Sequence, residues 1–141
     1  MRRAAILRQW APIVVGVALL ASMVACRKPT EPLRLSSIQL GTEIDEQQRV
    51  KTPVDLDFGF PTDATVYASI GTEGAGTGKL HLVWAELITG RRHTEQEQQV
   101  SADGPVFFAF HFRPPEGWQP GRHTIIFALE NDKHSREFTV R

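Results

Sequence analysis

Five histidines are the residues of this 141-residue chain best suited to chemistry: His81, His93, His111, His123 and His134. Imidazole binds transition metals and, with an ordinary pKa of about 6.5, exchanges protons near neutral pH. No pair has the i, i+4 spacing of a metal-binding helix or the spacing of a zinc finger. On the two-sheet fold derived below, His81 and His111 point away from each other. We therefore interpret the five as exposed histidines and expect neither a metal nor a cofactor.

Three aspartates lie close together in the sequence at Asp55, Asp57 and Asp63. Paired carboxylates can bind Ca²⁺ or act as general acid and base. Asp55 and Asp57 also fit the solvated face of a strand, where like charges discourage edge-to-edge pairing. We prefer this second interpretation.

The segment Gly71–Gly78 is rich in glycine. A phosphate-binding loop ends in Gly-Lys-Ser/Thr and runs into a helix, whereas Lys79 here begins a strand-like segment. We expect a flexible loop that is free to contact a partner. The sequence also lacks the Gly-x-Ser-x-Gly turn that presents a nucleophilic serine. We therefore expect a protein that is not an enzyme.

The N-terminal 25 residues have the composition of an export signal. Arg2, Arg3 and Arg8 precede the apolar run Ala11–Ala25, which ends in small residues. A basic segment followed by about 7–15 apolar residues and a small-residue cleavage site characterises a secretory signal. The run is shorter than the roughly 20 apolar residues of a transmembrane helix. We expect a cleaved signal peptide.

Cys26, the only cysteine of the chain, follows this run directly. The segment Leu20–Cys26 resembles the lipobox of bacterial lipoproteins: Val24, Ala25 and Cys26 match its pattern, and Met23 stands where leucine is commonest. The resemblance implies that signal peptidase II cuts before Cys26, that the thiol carries diacylglycerol and that the new amino terminus is acylated. Two or three acyl chains anchor a protein stably. The alternative, a free thiol in an oxidising compartment, is unusual.

The resemblance divides the chain into a signal peptide at 1–25, a lipidated cysteine and tether at 26–35, and a domain at 36–141. Prolines and charges make residues 27–33 an extended tether. Membrane lipid, held through acylated Cys26, is thus one expected partner. Arg27 stands where enteric lipoproteins retained in the inner membrane tend to carry aspartate. This implies a location in the bacterial cell envelope, at the outer membrane facing the periplasm.

The charge balance excludes a polybasic nucleic-acid binder. The chain has 16 basic and 16 acidic residues, and three of the basic ones precede Cys26. The remaining 13 basic residues against 16 acidic ones give the mature chain a net charge of −3. We expect no nucleic-acid partner.

Apolar and polar residues alternate in a series of short segments, as in half-buried strands. These segments lie at residues 38–40, 54–60, 66–70, 80–84, 106–112, 125–129 and 138–140. The polar tract Thr94–Val100 is expected to be a solvated edge, and no segment shows a helical period with caps. Seven or eight strands at a spacing of about 8–12 residues predict an all-β sandwich.

Two tryptophan sites resemble immunoglobulin-like domains. Trp84 lies mid-strand, where those domains place the core tryptophan of strand C. Trp118, the turn at 120–121 and His123 resemble the turn into strand F of fibronectin III-like domains, where a tyrosine forms the tyrosine corner. His123 replaces that tyrosine, although imidazole can still donate to a backbone carbonyl. The resemblance covers residues 36–141, implies an immunoglobulin-like β-sandwich and specifies no function.

On this fold, the sheet formed by strands C, F and G carries apolar residues on its outer, solvent-facing side. We define the candidate face by its six residues, His81, Val83, Ala85, Ile126, Ala128 and Thr139. One hypothesis is a lipid-anchored module that binds another protein of the cell envelope through this face or through its loops. The other is a carbohydrate- or peptidoglycan-binding accessory lipoprotein, with Trp118 or Tyr67 as a stacking platform. We favour the first, because we expect Trp118 to be packed at the corner.

Overall fold

The computed structural model describes residues 31–55 and 58–141, and these form seven β-strands. In chain order they are β1 (Arg34–Gly41), β2 (Val66–Glu73), β3 (Ala75–Glu86), β4 (Arg92–Asp103), β5 (Val106–Phe112), β6 (Gly121–Leu129) and β7 (Asp132–Val140). The first strand begins two residues before the expected domain boundary at 36. In the described ranges, no helix has the length and apolar character needed to cross a membrane.

The strands form two antiparallel sheets that pack face to face. One sheet has the order β1-β2-β5 and the other the order β4-β3-β6-β7. The order follows the immunoglobulin-like plan, with β3, β6 and β7 in the places of strands C, F and G. The predicted all-β sandwich is thereby confirmed, with seven strands in the described part of the chain.

The core lies between the sheets and follows the predicted alternation. Leu80, Leu82 and Trp84 of β3 are fully buried, and the register pairs them with Leu129, Phe127 and Ile125 of β6. Leu40, Val66, Ala68, Ile70 and Phe110 cover them from the other sheet. Trp84 lies in the core on the strand where the resemblance placed it.

One predicted strand is absent. In the described part of residues 54–60, Phe60 forms a single bridge to Val140 and the Val54 amide donates to the Leu40 carbonyl at 3.0 Å, but no strand forms. The Phe58 and Gly59 amides donate instead to the Asp55 carbonyl at 3.0 and 3.2 Å, which closes a turn. Gly59 has a positive φ of 73°, which a strand does not accommodate. The expected pair of aspartates on one strand face is therefore wrong for Asp55, and Asp57 lies outside the described residues.

The glycine-rich segment is not a flexible loop. Strand β2 continues to Glu73, a single residue turns at Gly74, and β3 begins at Ala75, so the chain passes directly from one sheet to the other. Gly74 has a φ of 81°, and a Cβ there would stand 2.2 Å from the Pro32 carbonyl oxygen. The glycine thus permits a close approach of two backbones that the sequence pattern did not indicate.

The polar tract Thr94–Val100 lies within β4, at the edge of the four-stranded sheet, as predicted. The corresponding edge of the other sheet is β5. There the Gln48 side-chain oxygen accepts from the Ala109 amide at 2.9 Å, and the Gln96 amide donates to the His111 carbonyl at 3.0 Å. Two glutamine side chains therefore occupy backbone groups that β2 does not pair.

The sandwich has two distinct ends. We call the end where β1 begins the entry end; it carries the turns at Gly74, at Gly104 and between β6 and β7. The Ala75 amide donates to the Glu31 carbonyl at 2.9 Å there, which joins the incoming chain to β3. The opposite, far end carries the β3–β4 turn at residues 87–91 and the β5–β6 loop at residues 113–120.

Candidate functional site

The strand register brings the six residues of the candidate face onto one side of the four-stranded sheet. His81 pairs with Ala128 and Val83 with Ile126 across β3 and β6, and Ala85 is the next outward residue of β3. Thr139 of β7 lies on the same side, opposite Arg122. The register is therefore the one that the sequence indicated, with Leu80, Leu82 and Trp84 on the other side.

The candidate face is a narrow uncharged strip between charged rows. Val83 is only 5 % exposed, and Ala85 is equally covered. Glu95 and Glu97 of β4 stand opposite Val83 and His81. On the β7 side, Glu137 pairs with Arg122. His81, Ile126, Ala128 and Thr139 are half-buried, so the accessible part of the strip consists of His81 on β3 and of the residues on β6 and β7.

A second cluster, at the far end, joins two histidines that the sequence keeps 30 residues apart. The pairing of β4 with β3 shifts where Trp84 meets Thr94 and Ala85 meets Arg92, which leaves His93 as the extra residue of a β-bulge. A bulge re-aims side chains. His93 Nε2 consequently lies 3.2 Å from His123 Nδ1.

The hydrogen bonds fix the protons of this pair. His123 Nε2 lies 2.8 Å from the Gln119 carbonyl oxygen, which can only accept, so Nε2 carries the hydrogen. In the neutral ring, Nδ1 of His123 is then an acceptor, and His93 donates to it from Nε2. Nδ1 of His93 remains as the position for an added proton.

Aromatic rings enclose the pair. His123 is 1 % exposed, stacks on Phe138 with ring centroids 5.5 Å apart and meets Trp118 edge-on at 5.1 Å. Trp118 also contacts His93 at 5.5 Å, and its indole N–H donates to the Ala64 carbonyl at 2.8 Å. His123 thus makes the backbone bond expected of the corner residue.

A cavity of about 400 Å³ opens beside the pair, between the β3–β4 turn and the β5–β6 loop. His93, Phe112, Pro114 and Pro115 line it together with charged residues of both signs: Glu86, Arg91, Arg92 and Glu116. Burial lowers the pKa of His93; its electrostatic interactions with His123 and Arg91 lower it further, and Glu86 opposes them. The hydrogen bond from Thr89 lowers the pKa of Glu86.

The interpretation of all five histidines as exposed is wrong for His123, which is buried. It holds only in part for His93, which is half-buried. The sequence shows neither the bulge in β4 nor that side chains of β4 and β6 meet across β3. The spacing of the histidines therefore could not predict the contact between His93 and His123. His81 and His134 each contact a carboxylate, Glu95 at 3.3 Å and Asp132 at 2.7 Å. In the described ranges, no three His, Cys, Asp or Glu side chains are grouped to hold a metal ion.

The two aromatic residues considered as stacking platforms differ. Trp118 is 2 % exposed and packed at the corner, as expected, so its ring offers no face to a sugar. Tyr67 lies half-buried on the outer side of the three-stranded sheet, with its ring centroid 5.3 Å from that of His111. Cys26 and the signal peptide lie outside the described residues.

Comparison with solved structures places the fold among immunoglobulin-like proteins. An immunoglobulin-like protein from Pseudomonas aeruginosa matches with a TM-score of 0.50 at 16 % identity, covering 81 % of this chain and all of that one. A β-D-glucoside glucohydrolase from Trichoderma reesei matches with a TM-score of 0.43 at 15 % identity, over 78 % of this chain and 19 % of that one. This second likeness is too low to carry an argument. No protein-family model and no curated protein matches the sequence.

Proposed function

We propose that this protein is a lipid-anchored, non-enzymatic module of the bacterial cell envelope that binds another envelope protein. The immunoglobulin-like sandwich is compatible with such a role. The observation that carries the proposal is the candidate face, an uncharged strip across β3 and β6 with charged residues on both sides. An apolar centre with a polar rim is the usual composition of a protein-binding surface.

A membrane anchor at Cys26 would set the orientation of the module. Strand β1 begins eight residues after Cys26, and an extended chain of that length reaches at most about 29 Å. A lipid at Cys26 would keep the entry end towards the bilayer. The far end would point away from it, about 40 Å further along the 12-residue strand β3. We place the module at the outer membrane, facing the periplasm.

The lipid anchor is tested by replacing the cysteine. In the Cys26→Ala variant we expect the protein to leave the membrane fraction, and we expect mass spectrometry of the wild type to show an acylated N-terminal cysteine. An unmodified Cys26 in a processed chain would refute the anchor. This result would leave the candidate face to be tested separately.

The candidate face is tested by crosslinking in cells, followed by purification of the full chain and mass spectrometry of what is attached. Ile126→Asp places a charge on the accessible part of the strip, whereas Val83 is too buried for this purpose. Ile88→Asp is the matched control, because Ile88 is 87 % exposed at the tip of the β3–β4 turn. Circular dichroism must show that both variants are folded.

We expect one dominant envelope protein that is lost with Ile126→Asp and retained with Ile88→Asp. The reverse result would move the binding surface from the sheet to the far-end loops. Attached glycan fragments, lost with Tyr67→Ala, would favour the carbohydrate- or peptidoglycan-binding alternative. Because Trp118 is buried, Tyr67 is the stacking platform on which that alternative depends.

A further inference from the structure

The β5–β6 loop at the far end is held to the rest of the sandwich partly through the two histidines. His123 on β6 donates to the carbonyl of Gln119 within the loop, and His93 on β4 donates to His123. The loop is also held at Trp118, whose backbone amide donates to the Thr62 carbonyl at 2.7 Å. The imidazole of His93 is the group in this attachment that can take up a proton as the pH falls.

The tautomers limit how many protons the pair can take. One added proton fits on Nδ1 of His93, because His93 Nε2 still donates to His123. A second would have to sit on Nδ1 of His123, where it would meet the N–H of His93 across 3.2 Å. His123 is fully buried against Trp118 and Phe138, so water could not solvate that charge.

We propose that the His93–His123 pair is a proton-operated latch that helps to hold the β5–β6 loop at neutral pH and loosens it on mild acidification. A charged His93 gains hydration by turning from the aromatic cluster into the cavity that it lines. This movement breaks its bond to His123 and its contact with Trp118. The attachment of residues 113–120 is thereby weakened.

The charged groups around the pair come from each element that packs on it. Arg91 in the β3–β4 turn repels a charged His93, whereas Glu86 of β3 attracts it. Arg92 of β4 is held by Glu95, and Glu116 of the β5–β6 loop lines the cavity. Arg122 of β6 is held by Glu137. Burial and Arg91 therefore act with the pairing to favour a neutral His93, and Glu86 acts against them.

The latch is tested by hydrogen exchange of the full chain in detergent, read by mass spectrometry between pH 7.5 and pH 5. After correction for the intrinsic rate, we expect exchange in residues 113–120 to be about tenfold faster at pH 5, as for a local opening that becomes more populated. The entry-end turn at Gly104 is the internal control; its amide donates to the Gly74 carbonyl at 2.9 Å, and we expect no change there.

Two variants separate the latch from general acid destabilisation. His93→Gln retains an N–H donor for His123 without a group that titrates, and His123→Tyr places the usual corner residue opposite the Gln119 carbonyl. In His93→Gln we expect exchange in residues 113–120 to be independent of pH. In His123→Tyr, where His93 still lies beside Trp118, we expect a smaller acid response than in the wild type. An unchanged exchange rate in the wild type, or the same acid response in a folded His93→Gln or His123→Tyr variant, would overturn the proposal. The inference depends on neither the lipid anchor nor the protein partner.

Discussion

The two ends of the sandwich are held by different means. At the entry end, backbone meets backbone: the Gly104 amide donates to the Gly74 carbonyl, and the Ala75 amide to the Glu31 carbonyl, both at 2.9 Å. At the far end, rings and side chains around Trp118 and His123 add to backbone bonds such as that from the Trp118 amide to the Thr62 carbonyl. Backbone bonds do not titrate near neutral pH, whereas imidazole does. The entry end is therefore suited to an attachment that does not change with pH, and the far end to a structural change that depends on pH.

The largest effect is expected from Trp84→Ala, which removes the ring shared by the core and the far-end cluster. The Trp84 ring contacts Phe112, Trp118 and Phe138, and its N–H donates to the Gln96 side chain at 2.9 Å. We expect the free energy of unfolding to fall by about 3–5 kcal/mol in chemical denaturation. A loss below about 1 kcal/mol would mean that the ring does not support the core.

A smaller but local loss is expected from Gly74→Ala at the entry end. A Cβ there combines a positive φ with an approach of 2.2 Å to the Pro32 carbonyl oxygen, so the backbone must move. We expect a loss of more than about 2 kcal/mol, because the strain of the φ alone costs roughly 1–2 kcal/mol. Gly90→Ala is the matched control at the far end, since its φ is also positive but its Cβ would meet open space. Equal losses in the two variants would show that the close approach at Gly74 is unimportant.

The next largest effect is expected in the dependence of the free energy of unfolding on pH, through His93 at the far end. Because the pKa of His93 is lowered in the folded state, the unfolded chain takes up the proton first as the pH falls. The contribution of neutral His93 is complete above the ordinary histidine pKa of about 6.5 and is lost as the pH falls through the lower folded value. We expect the free energy of unfolding to decline over this range in the wild type and to decline less in His93→Gln. Identical pH profiles for the two proteins would contradict this assignment.

The smallest effect is expected from Arg122→Gln, which breaks the ion pair with Glu137 beside the candidate face. Both side chains are exposed, and exposed pairs contribute little in water. We expect the free energy of unfolding to change by less than about 0.5 kcal/mol. A loss comparable to that of Gly74→Ala would mean that charge on this face supports the fold.

The sequence predicts the parts of this fold that depend on alternation. Leu80, Leu82 and Trp84 could be assigned to the core because burial on one side of a strand repeats every two residues. The same rule correctly assigned the opposite side to His81 and Val83. The alternation rule did not predict that Val83 is buried, because the burial of an outward residue depends on the side chains of neighbouring strands.

Alternation fails where the backbone departs from a regular strand. Residues 54–60 alternate, yet Gly59 turns the chain and leaves Phe58 68 % exposed, with the guanidinium of Arg141 above its ring. At His93 the bulge adds one residue to β4 and turns a side chain of a polar edge towards the core. A pattern of two-residue period contains neither the local turn at Gly59 nor the register shift at His93.

The glutamines at the β5 edge affect whether copies of this protein can associate through that edge at high concentration. An open strand edge is a template on which another chain can add, and such addition leads to polymers. Gln48 occupies the amide of Ala109 and Gln96 the carbonyl of His111, so an incoming strand would have to displace both side chains. Gln48 and Gln96 thus make this part of the β5 edge less available for the addition of a strand from another copy.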